Sequence, residues 1–163
     1  MRVQLPFTMQ QQMQSQWAWA AVAVSISKYY DPGSPYTQCK LASWAFNDTT
    51  CCTAMVSPRC NQPYSLSNAL RFCNRLNSMV DGGLTFNVLK AQIDEKRPVA
   101  VRIMWTGTLM AHPVAITGYD DSNLAAPLIT VADSWSGSSV LPFIGFPGNY
   151  AGGGTWANTY LTQ

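Results

Sequence analysis

The sequence predicts an α+β chain, helices first and strands second. Three observations carry that expectation. An Ala-rich apolar run free of Gly and Pro, Trp17 to Tyr30, reads as a mostly buried helix. After Pro98 the apolar segments become short, β-branched and bounded by turn residues. With 163 residues, 47% of them hydrophobic and 12% aromatic, the chain has material for one core. It is expected to form a single domain, residues 1–163, with a helical lobe over about 1–80 and a β lobe over about 81–163.

Residues Leu5 to Gln16 are polar and Gln-rich, so an extended or looped lead-in is expected rather than a packed element. The first helix, Trp17 to Tyr30, stops at Asp31-Pro32-Gly33. A second short helix is expected over Gln38 to Phe46, and a third over Ser65 to Asn77, opened by Ser65 or Ser67 as N-cap. From Thr85 to Glu95, Phe86, Leu89 and Ile93 recur on one helical face, and Lys96-Arg97-Pro98 closes the segment. Strands follow at Val99 to Trp105, Pro113 to Tyr119 and Leu128 to Ala132, with a last one at Trp156 to Leu161. A site in such a chain is expected between the two halves.

Charged residues make up only 11% and the net charge is +2, which argues against a phosphate-neutralising surface and hence against nucleic-acid binding. The longest apolar stretch, Trp17 to Ile26, is interrupted by Ser25 and is shorter than the roughly 18 to 20 residues that span a bilayer. The N-terminal segment lacks the apolar core of a secretory leader, and Met1 also fits a start codon that follows removal of a leader or upstream domain.

Cys39, Cys51, Cys52, Cys60 and Cys73 fall in one stretch, which reads as a local staple. Structural zinc sites favour C-x2–4-C pairs, whereas the close pair here is the adjacent Cys51-Cys52, so no metal is expected. Adjacent cysteines bridge each other only with strain. Cys51 and Cys52 should therefore pair with two different partners among Cys39, Cys60 and Cys73, leaving one thiol over. Such pairing favours an oxidising compartment, the alternative being five reduced, buried cysteines.

His112 is the one histidine, at the start of a predicted strand. A lone histidine is more often structural, but Asp133 stands at the end of the next strand, placed to orient an imidazole, with the Trp135 indole nearby to shield the bond from water. Taken alone, Asp133 also reads as a turn-capping aspartate. Such a pair needs a nucleophile. A cysteine at the start of the first helix would have its thiolate stabilised by the helix dipole and an imidazolium, and Ala18 stands there instead.

Gln12 precedes Ala18 by six positions, and Ala18-Trp19-Ala20 matches Cys-Trp-Ala in all but the sulfur. With Ala111-His112-Pro113-Val114 and Asp133-Ser134-Trp135, the chain from Gln12 onward resembles the papain-like cysteine peptidases. The lead-in, Trp17, Tyr29-Tyr30, Gln38-Cys39-Lys40-Leu41, Cys51-Cys52 and the late Gly-Gly-Thr-Trp look like a compact bacterial group similar to the AvrRpt2 and double-glycine (C39-like) peptidases. The resemblance implies a papain-like fold, a helical lobe facing a twisted antiparallel sheet. It implies residue 18 as the nucleophile position, His112 as base and then acid, and Asp133 as its orienter, where many relatives have Asn. It further implies Gln12 with the backbone N–H of residue 18 as the oxyanion hole, Trp135 as a cover over the His112–Asp133 bond, and Trp19 packed beneath the helix start. Trp19, Ala111 and Trp135 would contact substrate, and a cleft of tryptophans and small residues would accept small side chains beside the scissile bond, Gly included.

Alanine has no nucleophilic atom, so the reading is a cysteine peptidase inactivated at position 18, by engineered replacement of cysteine in a secreted or effector-like bacterial enzyme. The alternatives are a natural pseudopeptidase that binds peptides or proteins, and a cysteine-dependent transamidase or deamidase of the same fold. The expected partners are a peptide or protein substrate and an inhibitor or immunity protein, with action in a target-cell cytoplasm after delivery also open; no cofactor is expected. The Gly145–Gly148 and Gly152–Gly154 segments lack a phosphate-loop pattern, and Asp120 and Asp121, neighbours on a turn, point apart and do not make a glycosidase pair.

Overall fold

A computed structural model describes residues 1–163. The first half holds β1 (Arg2–Gln4), α1 (Ala18–Tyr30), α2 (Gln38–Phe46), a 3-10 turn (Thr49–Cys52), α3 (Leu66–Phe72) and β2 (Leu76–Asp81). The second holds α4 (Phe86–Asp94), β3 (Val99–Trp105), β4 (Ala111–Asp120), β5 (Leu128–Asp133), β6 (Gly137–Pro142) and β7 (Gly154–Thr162). One antiparallel sheet runs β2-β7-β3-β4-β5-β6, with β1 added against the end of β4. This is the expected α+β architecture, a helical layer against a sheet. No helix is long and apolar enough to cross a membrane.

Helix α1 is buried on every side over Ala18–Ser27, as an apolar helix sandwiched between other helices and a sheet must be. It packs with α2, α3, Ala100 and Tyr160 in the larger core. The other sheet face carries Val99, Val101, Ile103, Val114, Ile116, Ile129 and Val131 beneath Leu89 of α4. The two cores follow from the period-2 alternation along β3, where odd positions meet α4 and Ala100 meets α1.

Helix α3 is shorter than expected. Asn74 takes a left-handed φ of 56°, its N–H reaches Arg71 O, and the Arg75 N–H reaches Leu70 O. This is a Schellman stop with Asn in the position that usually demands Gly. The chain then leaves the helix as β2, so a stretch expected to be helical pairs with β7, and β1 and β2 carry the first half into the sheet. Strand β6 lies outside the expected strands, because Gly-Ser-Ser carries no β signal of its own and is ordered by pairing with β5. Gly118 permits β1 to lie close, since a Cβ there would meet the Val3 carbonyl at 2.7 Å.

The Gln-rich lead-in is irregular, as expected, yet it is tied down along its length. Leu5 N–H donates to Thr117 O, Gln10 N–H to Ser25 Oγ and Met13 N–H to the buried Gln38 Oε1. Disulfides join Cys39 to Cys52 and Cys51 to Cys60, which sends the adjacent cysteines to different partners and leaves Cys73 free and buried.

Candidate active site

The first turn of α1 presents residue 18 to a cleft of about 680 Å3 between the helices and the sheet. Trp17 stands at the N-cap position with a side chain that accepts no hydrogen bond from the helix, and the backbone N–H of Ala18 has no acceptor in the chain. The positive end of the helix is thus unneutralised where the Ala18 methyl lines the cleft.

Three consecutive residues of the disulfide loop hold that helix end. Trp17 Nε1 donates to Cys60 O at 2.7 Å, the Gln16 N–H to Asn61 Oδ1 at 2.9 Å, and Trp19 Nε1 to Gln62 O at 3.0 Å. Because Cys60 is bonded to Cys51, the staple fixes the donors and acceptors that aim the helix. Trp19 is buried beneath the helix start against Phe46 and Tyr64 and also lines the cleft.

His112 reaches the same cleft from the sheet, beside Ala111. The register Ala115↔Ala132 sets Asp133 diagonal to His112 on one sheet face, and Nε2 meets Asp133 Oδ1 at 2.8 Å. The Asp133 carboxylate also accepts the Trp135 N–H at 2.7 Å on Oδ1 and the Tyr150 hydroxyl at 2.5 Å on Oδ2. Burial pushes this carboxyl upward, but the hydrogen bond and charge of His112, then the Tyr150 hydroxyl and the Trp135 N–H, outweigh it and bring it down to about 2. Tyr150 is pushed the other way by burial and by the carboxylate it serves. An ionised Asp133 accepts from the Nε2 proton, which leaves Nδ1 with its lone pair and no protein partner.

The sequence profile of the Peptidase_C39 like family matches residues 4–152. The chain belongs to this family of papain-like cysteine peptidases. No curated protein matches it.

Within the peptidase, two expected contacts differ. The indole parallel to the His112 ring is that of Trp105, with centroids 5.8 Å apart and planes 19° apart, and the Tyr150 ring also lies near-parallel to the Trp105 indole, with centroids 6.3 Å apart. Trp135 is 67% exposed and contributes its backbone N–H to Asp133. The reason is parity: Trp105 shares a strand face with Ile103, which pairs with His112, while Trp135 sits in the turn after β5.

Gln12 also differs. Its amide nitrogen donates to the carbonyls of Gln14 at 3.0 Å and Ser15 at 2.8 Å, and its Oε1 accepts the Ser134 hydroxyl at 2.9 Å. Together with the Gln12 N–H to Ser134 O bond, this clamps the lead-in to the turn that carries Asp133. Gln12 is therefore a tie between the two halves, and the Ala18 N–H is left free at the cleft. Nothing in the sequence marks Trp105 and Tyr150, since an aromatic residue in an apolar strand and another in a Gly-rich loop carry no spacing signal.

Proposed function

We propose that the chain is the peptidase domain of a cysteine endopeptidase whose nucleophile position, residue 18, is held here by alanine. One observation carries the reading: a carboxylate-held imidazole with a free Nδ1 lines the same cleft as residue 18 at an uncapped helix N-terminus. With cysteine at 18, Nδ1 takes the thiol proton and Sγ attacks the scissile carbonyl carbon. The helix end and the backbone N–H of residue 18 stabilise the resulting oxyanion. The protonated His112 then gives its proton to the leaving amine, and water, deprotonated by Nδ1, hydrolyses the thioester to release the carboxylic acid and regenerate the thiol. Asp133 holds the tautomer throughout.

With a methyl group at 18 the chain binds peptide and forms no acyl-enzyme. The two disulfides support work in an oxidising compartment, in keeping with a secreted protein. The test is Ala18→Cys incubated with an unfolded protein substrate and with a peptide thioester-trapping reagent. Turnover and a covalent adduct at residue 18, both absent from the alanine form, are the expected results. A well-folded Ala18→Cys with neither would overturn the reading.

A further inference from the structure

Arg102 of β3 is the one permanently charged side chain lining the cleft, and no Asp or Glu lines it. It forms no ion pair. Its Nη1 donates to the neutral Asn158 Oδ1 at 3.2 Å, and the Asn158 amide in turn donates to the exposed Asp81 at 3.0 Å, so the acidic partner stays one residue removed. A guanidinium carries five donors in a planar fork that fits a carboxylate, and here one donor is used. Around it lie Met79, Tyr160 and Pro113, walls of low polarity that concentrate the field of an uncompensated cation.

We propose that Arg102 recognises a carboxylate on the bound peptide, so that the cleft selects chains bearing an acidic side chain or a free C-terminus next to apolar residues. This deepens the peptidase reading and rests on it for the identity of the ligand as a peptide. Arg102 touches substrate away from residue 18 and acts on selection; the Asn158 contact orients its fork.

The test uses the chain as it stands, with alanine at 18. Fluorescein-labelled hexapeptide pools, apolar except for one scanned position holding Asp or Glu against Asn or Gln, are prepared with free or amidated C-termini. Binding is read by anisotropy. Carboxylate-bearing pools should bind about tenfold more tightly at low salt, with the advantage shrinking as salt rises. Arg102→Gln should erase the advantage and Arg102→Lys should keep part of it. Loss on amidation alone assigns the carboxylate to a chain terminus, and loss on Asp-to-Asn exchange assigns it to a side chain.

Equal binding of all pools, no binding by any, or an advantage that survives Arg102→Gln would overturn the proposal. The comparison of pools on the unaltered chain stands even where Arg102→Gln fails to fold. Turnover by Ala18→Cys with no carboxylate preference would sink this inference and leave the peptidase reading intact. An Arg102-dependent preference without turnover would do the reverse.

Discussion

Three donors converge on the Asp133 carboxylate from a strand, a turn and a Gly-rich loop: His112 Nε2, the Trp135 N–H and the Tyr150 hydroxyl. Removing the Tyr150 hydroxyl leaves one buried carboxylate oxygen without a partner, so Tyr150→Phe should destabilise the fold by about 1–3 kcal/mol in urea unfolding. The pH dependence has a definite sign. The Asp133 carboxyl is lowered from 3.8 to about 2, and a depressed carboxylate contributes stability that is complete above the unfolded value and is lost as pH falls through the folded one. The stability gap between the protein and Asp133→Asn should hold above about pH 4 and shrink by about 2 kcal/mol toward pH 2. A gap flat over that range contradicts the assignment. Cys73 supplies a contrast: burial pushes its thiol up to about 12, so iodoacetamide should leave it untouched in the folded protein at pH 8 to 9. Of these residues, His112 and Asp133 were legible because a lone histidine and a strand-end carboxylate sit one strand apart. Tyr150 was not, since only the folded loop brings it to Oδ2.

At the scale of elements, the position of α1 depends on a loop that has little regular structure of its own. Cys60, Asn61 and Gln62 accept from Trp17, Gln16 and Trp19, and the Cys51–Cys60 bridge holds those acceptors. Reduction opens loops of 13 and 9 residues, each closure worth about 3 kcal/mol. Dithiothreitol should lower Tm on the order of 10 °C. If the loop also aims the helix, Cys51→Ala with Cys60→Ala should reduce kcat of the Ala18→Cys form at temperatures where it is still folded. Unchanged kcat would confine the bridge to stability. The sequence revealed α1, α2 and α4 through apolar spacing and stop signals, and the cysteine pairing down to its open alternatives. It concealed β2 and β6, whose largely exposed residues are strands only because β7 and β5 offer them an edge.

For the whole molecule, the sheet serves two cores at once, α1 on one face and α4 on the other, and the cleft opens where the α1 start meets the start of β4. The Gln12–Ser134 clamp spans that junction. Gln12→Ala removes the side-chain half of this clamp and keeps the backbone bond, and should lower kcat of the Ala18→Cys form while leaving Tm within a few degrees, as a loss of alignment rather than of fold. The two-part organisation was legible in the order of helices and strands, and the clamp was not, because six positions from Gln12 to Ala18 give proximity along the chain but no direction for the amide.

Convergence of His112 and the α1 N-terminus on residue 18 makes the thiol of Ala18→Cys an activated one. It is tested most directly by the alkylation rate of Ala18→Cys with iodoacetamide across pH 4 to 9, beside Ala18→Cys/His112→Ala. Rapid alkylation should persist well below the ordinary thiol value of about 8.5 and be lost toward that value when His112 is removed. An ordinary thiol titration, the same with and without His112, would contradict it.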